Sequence, residues 1–279
     1  MCSGSLADRP VKAAEDHARN RRGRSFAQMI GQISASAWQY GILLTLAFSA
    51  GILLFWFNRA VGDEKGDHFI NLSLLIAVFA IVGARVLYIL LFPQYFSGWR
   101  DWLALHEGGL VFYGGFIGAA LAVIIYTHRQ NLSLGKVLDS LVPSLALGQA
   151  IGRLGCFSNH CCFGRPTEFC HFYHLPGDPA GMFRHPTQLY EAAYMAGLFL
   201  YLHLSLRHNR QQQRHADGYF AVTYIFAYTL FRFLIEFIRG DDRGGTILGL
   251  SISQLVSLAL LAVTATFCLY QKHSGKSNE

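Results

Sequence analysis

Gly152-Arg153-Leu154-Gly155-Cys156-Phe157-Ser158-Asn159-His160-Cys161-Cys162-Phe163-Gly164-Arg165-Pro166-Thr167 begins inside an apolar span long enough to cross a bilayer, and Arg153 sits within that span. A charged side chain at mid-membrane costs about 2.5–3.5 kcal/mol on insertion scales, so by default it marks a functional site. Arg85, Glu191, Arg232 and Glu236 also lie inside or at the lip of apolar spans. Where these charges fall relative to the membrane decides the reading of the chain.

The 279 residues are 52% hydrophobic, 14% aromatic and only 14% charged, whereas soluble domains average about 25% charged. The apolar residues come in blocks of about 20, the length that ~30 Å of hydrocarbon demands of a helix. Seven blocks qualify: 37–57, 69–92, 109–127, 137–157, 187–206, 218–238 and 248–270, the fourth interrupted by Ser144, Gln149 and Arg153. The predicted class is an all-α integral membrane protein, with seven transmembrane helices, short loops and a polar site near one face. Residues 1–36 read as a charged, disordered arm, 37–271 as the transmembrane domain and 272–279 as a cytoplasmic tail. There is no room for a large soluble domain, and no nucleic-acid partner is expected.

The net charge of +6 matters less than its placement. Arg59 and Lys65, Arg129 and Lys136, then Arg207, Arg210 and Arg214, and finally Lys272 and Lys276 follow spans one, three, five and seven. These loops share one side, which the positive-inside rule makes cytoplasmic. The basic arm at 1–36 then lies outside, and it has no apolar core within residues 1–25 to make it a signal peptide.

With helices alternating in direction, the polar residues of five spans fall toward the same face. Arg85 lies in the later half of span two, Tyr113 near the start of span three, Arg153 and Cys156 at the end of span four, and Gln188, Tyr190 and Glu191 open span five. In span six Tyr228, Arg232 and Glu236 recur at i, i+4 and i+8, with Arg239 continuing the stripe. A structural Arg–Glu tie explains such a pair alone, but needs no second arginine from another helix. Guanidinium groups present planar forks that match phosphate oxygens, and inside a membrane the available phosphate is a phospholipid headgroup. Gly114, Gly115 and Gly118, and Gly148, Gly152 and Gly155, suit close helix packing. Gly114 and Gly115 follow Tyr113 at the polar face and equally suit backbone approach to a ligand.

Glu107-Gly108-Gly109-Leu110-Val111-Phe112-Tyr113-Gly114-Gly115 resembles the glycine-bounded signature of bacterial prolipoprotein diacylglyceryl transferases. The resemblance continues through Gly152-Arg153-Leu154-Gly155, Phe163-Gly164-Arg165-Pro166-Thr167, Arg184 to Glu191, and Tyr228…Arg232…Glu236…Arg239, with Trp38-Gln39-Tyr40-Gly41 in span one. It implies a multi-pass enzyme of the bacterial inner membrane whose active site faces the periplasm. Such an enzyme moves the diacylglyceryl group of phosphatidylglycerol to a lipobox cysteine of a preprolipoprotein, and glycerol phosphate leaves. The implied partners are phosphatidylglycerol, preprolipoprotein signal peptides and membrane lipids. The implied catalytic residues are Arg232, Tyr113, Glu236 and Tyr228. Arg153, Arg239, Asn159, Gly114, Gly115, Gly164 and Glu191 would bind substrate, with no metal and no cofactor. The chain departs from the family at Tyr113, where a histidine is usual, at Cys156, where asparagine is, and at Cys161, where a carboxylate is. A phenol is a poor base near neutral pH. Arg153, Arg232 and Arg239 outnumber the carboxylates expected beside them, so their field is the expected activator of the incoming thiol.

Four of the six cysteines (Cys156, Cys161, Cys162 and Cys170) lie within 15 positions, among His160, His171 and His174. They suit a disulfide, a zinc or copper site, or plain thiols. Adjacent Cys161 and Cys162 are poorly disposed toward a single tetrahedral ion. Two other functions therefore stand beside the transferase: a membrane thiol or metal protein, and a phospholipid-binding relative without catalysis.

Overall fold

The computed structural model describes residues 38–39, 41–58, 67–96, 98, 101–102, 109, 111–169, 171, 173–212, 215–241, 246–247 and 249–276. The arm at 1–36 and residues Tyr40, Glu107, Gly108, Leu110 and Cys170 lie outside them. Seven long helices are described: α1 Gly41–Phe57, α2 Asp67–Leu91, α3 Phe112–Arg129, α4 Leu134–Ser158, α5 Thr187–Gln212, α6 Tyr219–Ile235 and α7 Ile252–Lys276. Helix α7 runs past the domain boundary expected at residue 271. A small antiparallel hairpin, Thr246–Ile247 with Leu250–Ser251, adds the two strands that the all-helical expectation lacks.

His68–Leu91 and Tyr219–Ile238 are long and apolar enough to cross a membrane, and Gly41–Phe57 and Ile252–Thr266 are shorter apolar helices. Their large side chains point outward: Leu74, Val78, Val82 and Leu90 of α2 are more than half exposed. That is the arrangement of a helix whose outer face meets hydrocarbon.

Helix α2 packs chiefly on α3, α4 on α5, and α6 on α7. Glycine sets the first contact. A Cβ on Gly114 would collide with the Gly83 carbonyl and stand 2.6 Å from Leu87 Cβ, and one on Gly118 would collide with the Phe79 carbonyl. Gly115 sits against Ala80 and Ala84. Small residues thus let the two backbones touch. The other core joins Val142, Ala146 and Ala150 of α4 to Met195, Leu198 and Leu202 of α5 and to Phe220, Ala221 and Tyr224 of α6.

Helix α6 stops at Ile235, gives way to a 3-10 turn at Glu236–Ile238, and leaves Arg239 extended at φ −72°, ψ 146°. The polar stripe expected to reach Arg239 therefore breaks after Glu236. The chain turns because Gly240 must fit against Gly164, whose carbonyl oxygen would lie 2.6 Å from a Cβ at 240.

Polar groups are also buried at the far end, where the sequence reading placed none. Asp139 of α4 accepts the backbone N–H groups of Gly218 and Ala221, each at 2.8 Å, and so caps α6 from a neighbouring helix. Arg210 of α5 reaches the Asn58 carbonyl, tying α1 to the bundle.

Candidate active site

Arg153 near the end of α4, Glu191 one turn into α5 and Arg239 after α6 form one ion network. Glu191 holds Arg153 Nη2 at 2.6 Å through Oε2 and Arg239 Nη1 at 2.6 Å through Oε1. Asp241 closes it, accepting from Arg239 Nε and Nη2 at 2.9 Å each. The side chains of Arg239 and Glu191 are 2% and 4% exposed, whereas that of Arg153 is 20% exposed. Arg153 is the member of the network that faces outward.

Arg232 and Glu236 build a second pair. Their charges approach to 2.6 Å across one helical turn, as the i, i+4 spacing predicts. Arg232 Nη2 also donates to Ser253 Oγ at 3.1 Å, and Ser251 Oγ donates to the other Glu236 oxygen at 2.8 Å. Ser251 and Gln254 form a capping box at the start of α7, with Gln254 N–H on Ser251 Oγ and Ser251 N–H on Gln254 Oε1. The cap fixes Ser251 against Glu236 and starts the helix that carries Ser253.

Three carboxylates, Glu191, Glu236 and Asp241, thus stand beside three arginines. This corrects the expectation that the arginines outnumber them. Counted by charge, the arginines therefore hold no excess with which to ionise an incoming thiol.

The link between α4 and α5 closes over this end. Gly164 N–H donates to the His185 carbonyl, Arg165 N–H to Ile238 and Gly240 N–H to Phe163, at 2.9, 2.9 and 3.0 Å. A Cβ on Gly164 would lie 2.5 Å from His185 Cβ, so glycine here permits a backbone crossing. Arg184 grips Asp178 through two bonds of 2.7 and 2.8 Å, and that contact holds the Asp178 carboxyl down at about 2.

Within the same link, Cys156, Cys161 and Cys162 bring their sulfurs within 4.8 Å of one another. Among the described residues no disulfide joins them. Adjacent residues share a side because the backbone turns left-handed at His160 and Cys162, with φ of 51° and 63°. That turn brings together two neighbouring cysteines that the sequence alone makes poorly disposed toward a single tetrahedral ion. Hydrogen bonds from Cys156 and Cys161, with Arg239 beside them, push the Cys162 thiol well below its ordinary range.

The remaining site residues take other places. Tyr228 stacks on Tyr224 with ring centroids 5.9 Å apart. Asn159 is the C-cap of α4. Tyr113 is 56% exposed in the first turn of α3. Of the two roles open to Gly114 and Gly115, close helix packing and backbone approach to a ligand, the structure shows the packing, since Gly83 and Ala84 of α2 meet them there. Arg85 is spent on loop carbonyls, donating to Trp102, Asp101 and Gly109 at 3.0, 2.6 and 3.2 Å. Asp241, Ser251, Ser253 and Gln254 escaped the sequence reading. Of these, only Ser251-Ile252-Ser253-Gln254 carried a signal, that of a capping box before an apolar run.

The family profile described as prolipoprotein diacylglyceryl transferase matches residues 28–270. Curated relatives named phosphatidylglycerol–prolipoprotein diacylglyceryl transferase span most of the chain. The protein of Clostridium tetani is 32% identical over 227 residues, covering 80% of this chain and 89% of the relative. That of Thermosynechococcus vestitus is 34% identical over 248 residues, covering 85% and 89%. That of Bacillus mycoides is 32% identical over 255 residues, covering 86% and 90%.

Proposed function

We infer the work of this site from one premise: the chain belongs to the prolipoprotein diacylglyceryl transferase family. It transfers the diacylglyceryl group of phosphatidylglycerol to the lipobox cysteine of a prolipoprotein. The cysteine sulfur attacks the glycerol carbon, the carbon–oxygen bond breaks, and glycerol phosphate leaves with the electron pair on oxygen. All seven helices cross the bacterial inner membrane, and the arginine end opens to the periplasm. The exposed Arg129, Lys136 and Arg207 at the other end support that orientation.

The observation that carries the reading is the contrast within the Glu191 network. Arg239 is sealed by two carboxylates, while Arg153 keeps an exposed flank beside the same carboxylate. Arg153 therefore takes the headgroup phosphate, with Glu191 and Arg239 fixing its direction. Arg232, held by Glu236 and Ser253, stabilises the charge that grows on the leaving oxygen. Tyr228 and Tyr113 position lipid, and the signal peptide approaches from the bilayer.

The test is complementation of a transferase-depleted bacterium, together with transfer by purified protein in vesicles. Arg153→Ala should insert normally and lose activity, and Arg153→Lys should recover only part, since a point charge cannot reproduce the fork. Near wild-type turnover by Arg153→Ala would overturn the phosphate assignment. Phosphatidylglycerol binding without any turnover by the wild type would instead identify a lipid-binding relative.

A further inference from the structure

The transfer chemistry above leaves one cluster unused: the sulfurs of Cys156, Cys161 and Cys162, all within 4.8 Å of one another. The cluster is held from several sides. Cys156 belongs to the last turn of α4. The Cys161 carbonyl accepts from Gln188 Nε2 and the Cys162 carbonyl from Thr187 Oγ1, each at 2.7 Å. Cys161 N–H closes back onto the Cys156 carbonyl at 3.1 Å. A single ion would need the sulfur–sulfur edges to close only to about 3.8 Å, the edge of a tetrahedron with Zn–S of about 2.3 Å. Thiolates are soft ligands and select zinc-class ions over magnesium or calcium. Among the described residues no fourth Cys, His, Asp or Glu joins the group. Three protein ligands with a position left over is the arrangement of catalytic zinc rather than structural zinc.

We propose that Cys156, Cys161 and Cys162 bind one Zn2+ as thiolates, and that its fourth position receives the sulfur of the incoming lipobox cysteine. The second half rests on the transferase reading. The placement suits it: Arg239 of the phosphate-binding network contacts Cys162, so the ion lies beside that network. The need is also present. A cysteine thiol with pKa about 8.5 is only about 3% thiolate at pH 7, and the three arginines here are matched by three carboxylates. A thiol that joins zinc gives up its proton outright. That proton goes to solvent. The sulfur then forms its bond to the glycerol carbon as the carbon–oxygen bond breaks, and the electron pair departs on the phosphate oxygen, whose growing charge Arg232 meets while Arg153 holds the headgroup. No oxidant or reductant is required.

The test uses the full chain, purified without a polyhistidine tag into phosphatidylglycerol discs, with zinc measured by elemental analysis and X-ray absorption. The expected result is one zinc per chain with three sulfur neighbours and one lighter atom. Cys156→Ser, Cys161→Ser and Cys162→Ser should each lose most of it. Should a variant misfold, Co2+ titrated into metal-stripped wild type gives an independent reading through its thiolate-to-cobalt absorption. Stripping should slow transfer about thirtyfold at pH 7 but only about twofold at pH 8.5, where the substrate thiol ionises unaided. Added Zn2+ should restore the rate.

Failure to take up zinc after reconstitution overturns the proposal and leaves the transferase reading intact. Four sulfur neighbours in the substrate-free protein overturn the open position. A stripped enzyme with an unaltered pH–rate profile overturns the activating role. Zinc on three sulfurs in a protein that never transfers lipid would sink the transferase reading and keep the metal site.

Discussion

Each end of the bundle buries a carboxylate, and the two are used differently. Asp139 is satisfied by two backbone N–H groups at the start of α6. Glu191 is satisfied by two guanidinium groups, from Arg153 and Arg239. Backbone donors cannot move and take no other ligand, so Asp139 fastens two helices together. A guanidinium has five donors, and one carboxylate oxygen occupies few of them. The Glu191 end therefore retains donors that an anion can use. What the partners have left to offer separates a clasp from a site, and burial alone does not.

The largest effect that would break this comparison is at Glu191. Glu191→Ala leaves two arginines without their shared carboxylate, which costs about 3–5 kcal/mol when such a pair is broken in a buried setting. Transfer should vanish and the thermal unfolding temperature in detergent should fall sharply. An active, stable Glu191→Ala would show that the network does not organise the site. Arg232→Lys comes next: it keeps the charge beside Glu236 but loses the fork that also reaches Ser253. Turnover should fall by about tenfold to a thousandfold with unchanged membrane insertion, as read by initial rates on a lipobox peptide.

Asp139→Ala sharpens the contrast from the other side. It removes charge-assisted bonds to Gly218 and Ala221, and stability should drop by about 2–3 kcal/mol. Activity per folded molecule should remain within about threefold, because Asp139 touches nothing at the arginine end. Activity loss out of proportion to unfolding would mean that the ends are coupled. Tyr113→Phe should stay within about tenfold of wild-type activity. Complete loss with normal lipid binding would make the Tyr113 hydroxyl the proton acceptor.

The smallest effect is at Asp178, whose pairing with Arg184 lowers its carboxyl to about 2. The folded value lies below the unfolded one of about 3.9, so the pair stabilises the link above pH 4 and loses that contribution as pH falls through 2. Asp178→Asn should melt below wild type at neutral pH, and the gap should close by pH 2. A gap independent of pH would remove the ion pair from the account.

Legibility in the sequence followed the range of each contact. Arg232 and Glu236 could be paired by inspection, because i, i+4 spacing on one helix fixes their separation. Arg153 and Glu191 could be brought only to the same end of the bundle, since their 2.6 Å contact depends on how α4 meets α5. Arg239 was read onto the α6 stripe and is not there; the break follows from Gly240 meeting Gly164, a contact between distant segments. Packing and ligand approach could not be separated at Gly114, because its partner Gly83 lies on another helix. The thiol cluster depends on positive φ at His160 and Cys162, a conformation that side-chain identity gives little sign of at these residues.

The hydrogen bond from Gly240 to Phe163 has a consequence for synthesis. Its two residues leave the ribosome some 77 positions apart, about 4–15 s at ordinary elongation rates. During that interval the α4–α5 link lacks its edge partner, Glu191 lacks Arg239, and the Cys156–Cys162 thiols lie next to a half-built network. The order of emergence thus leaves the cysteine cluster without Arg239 until the segment after α6 has been made.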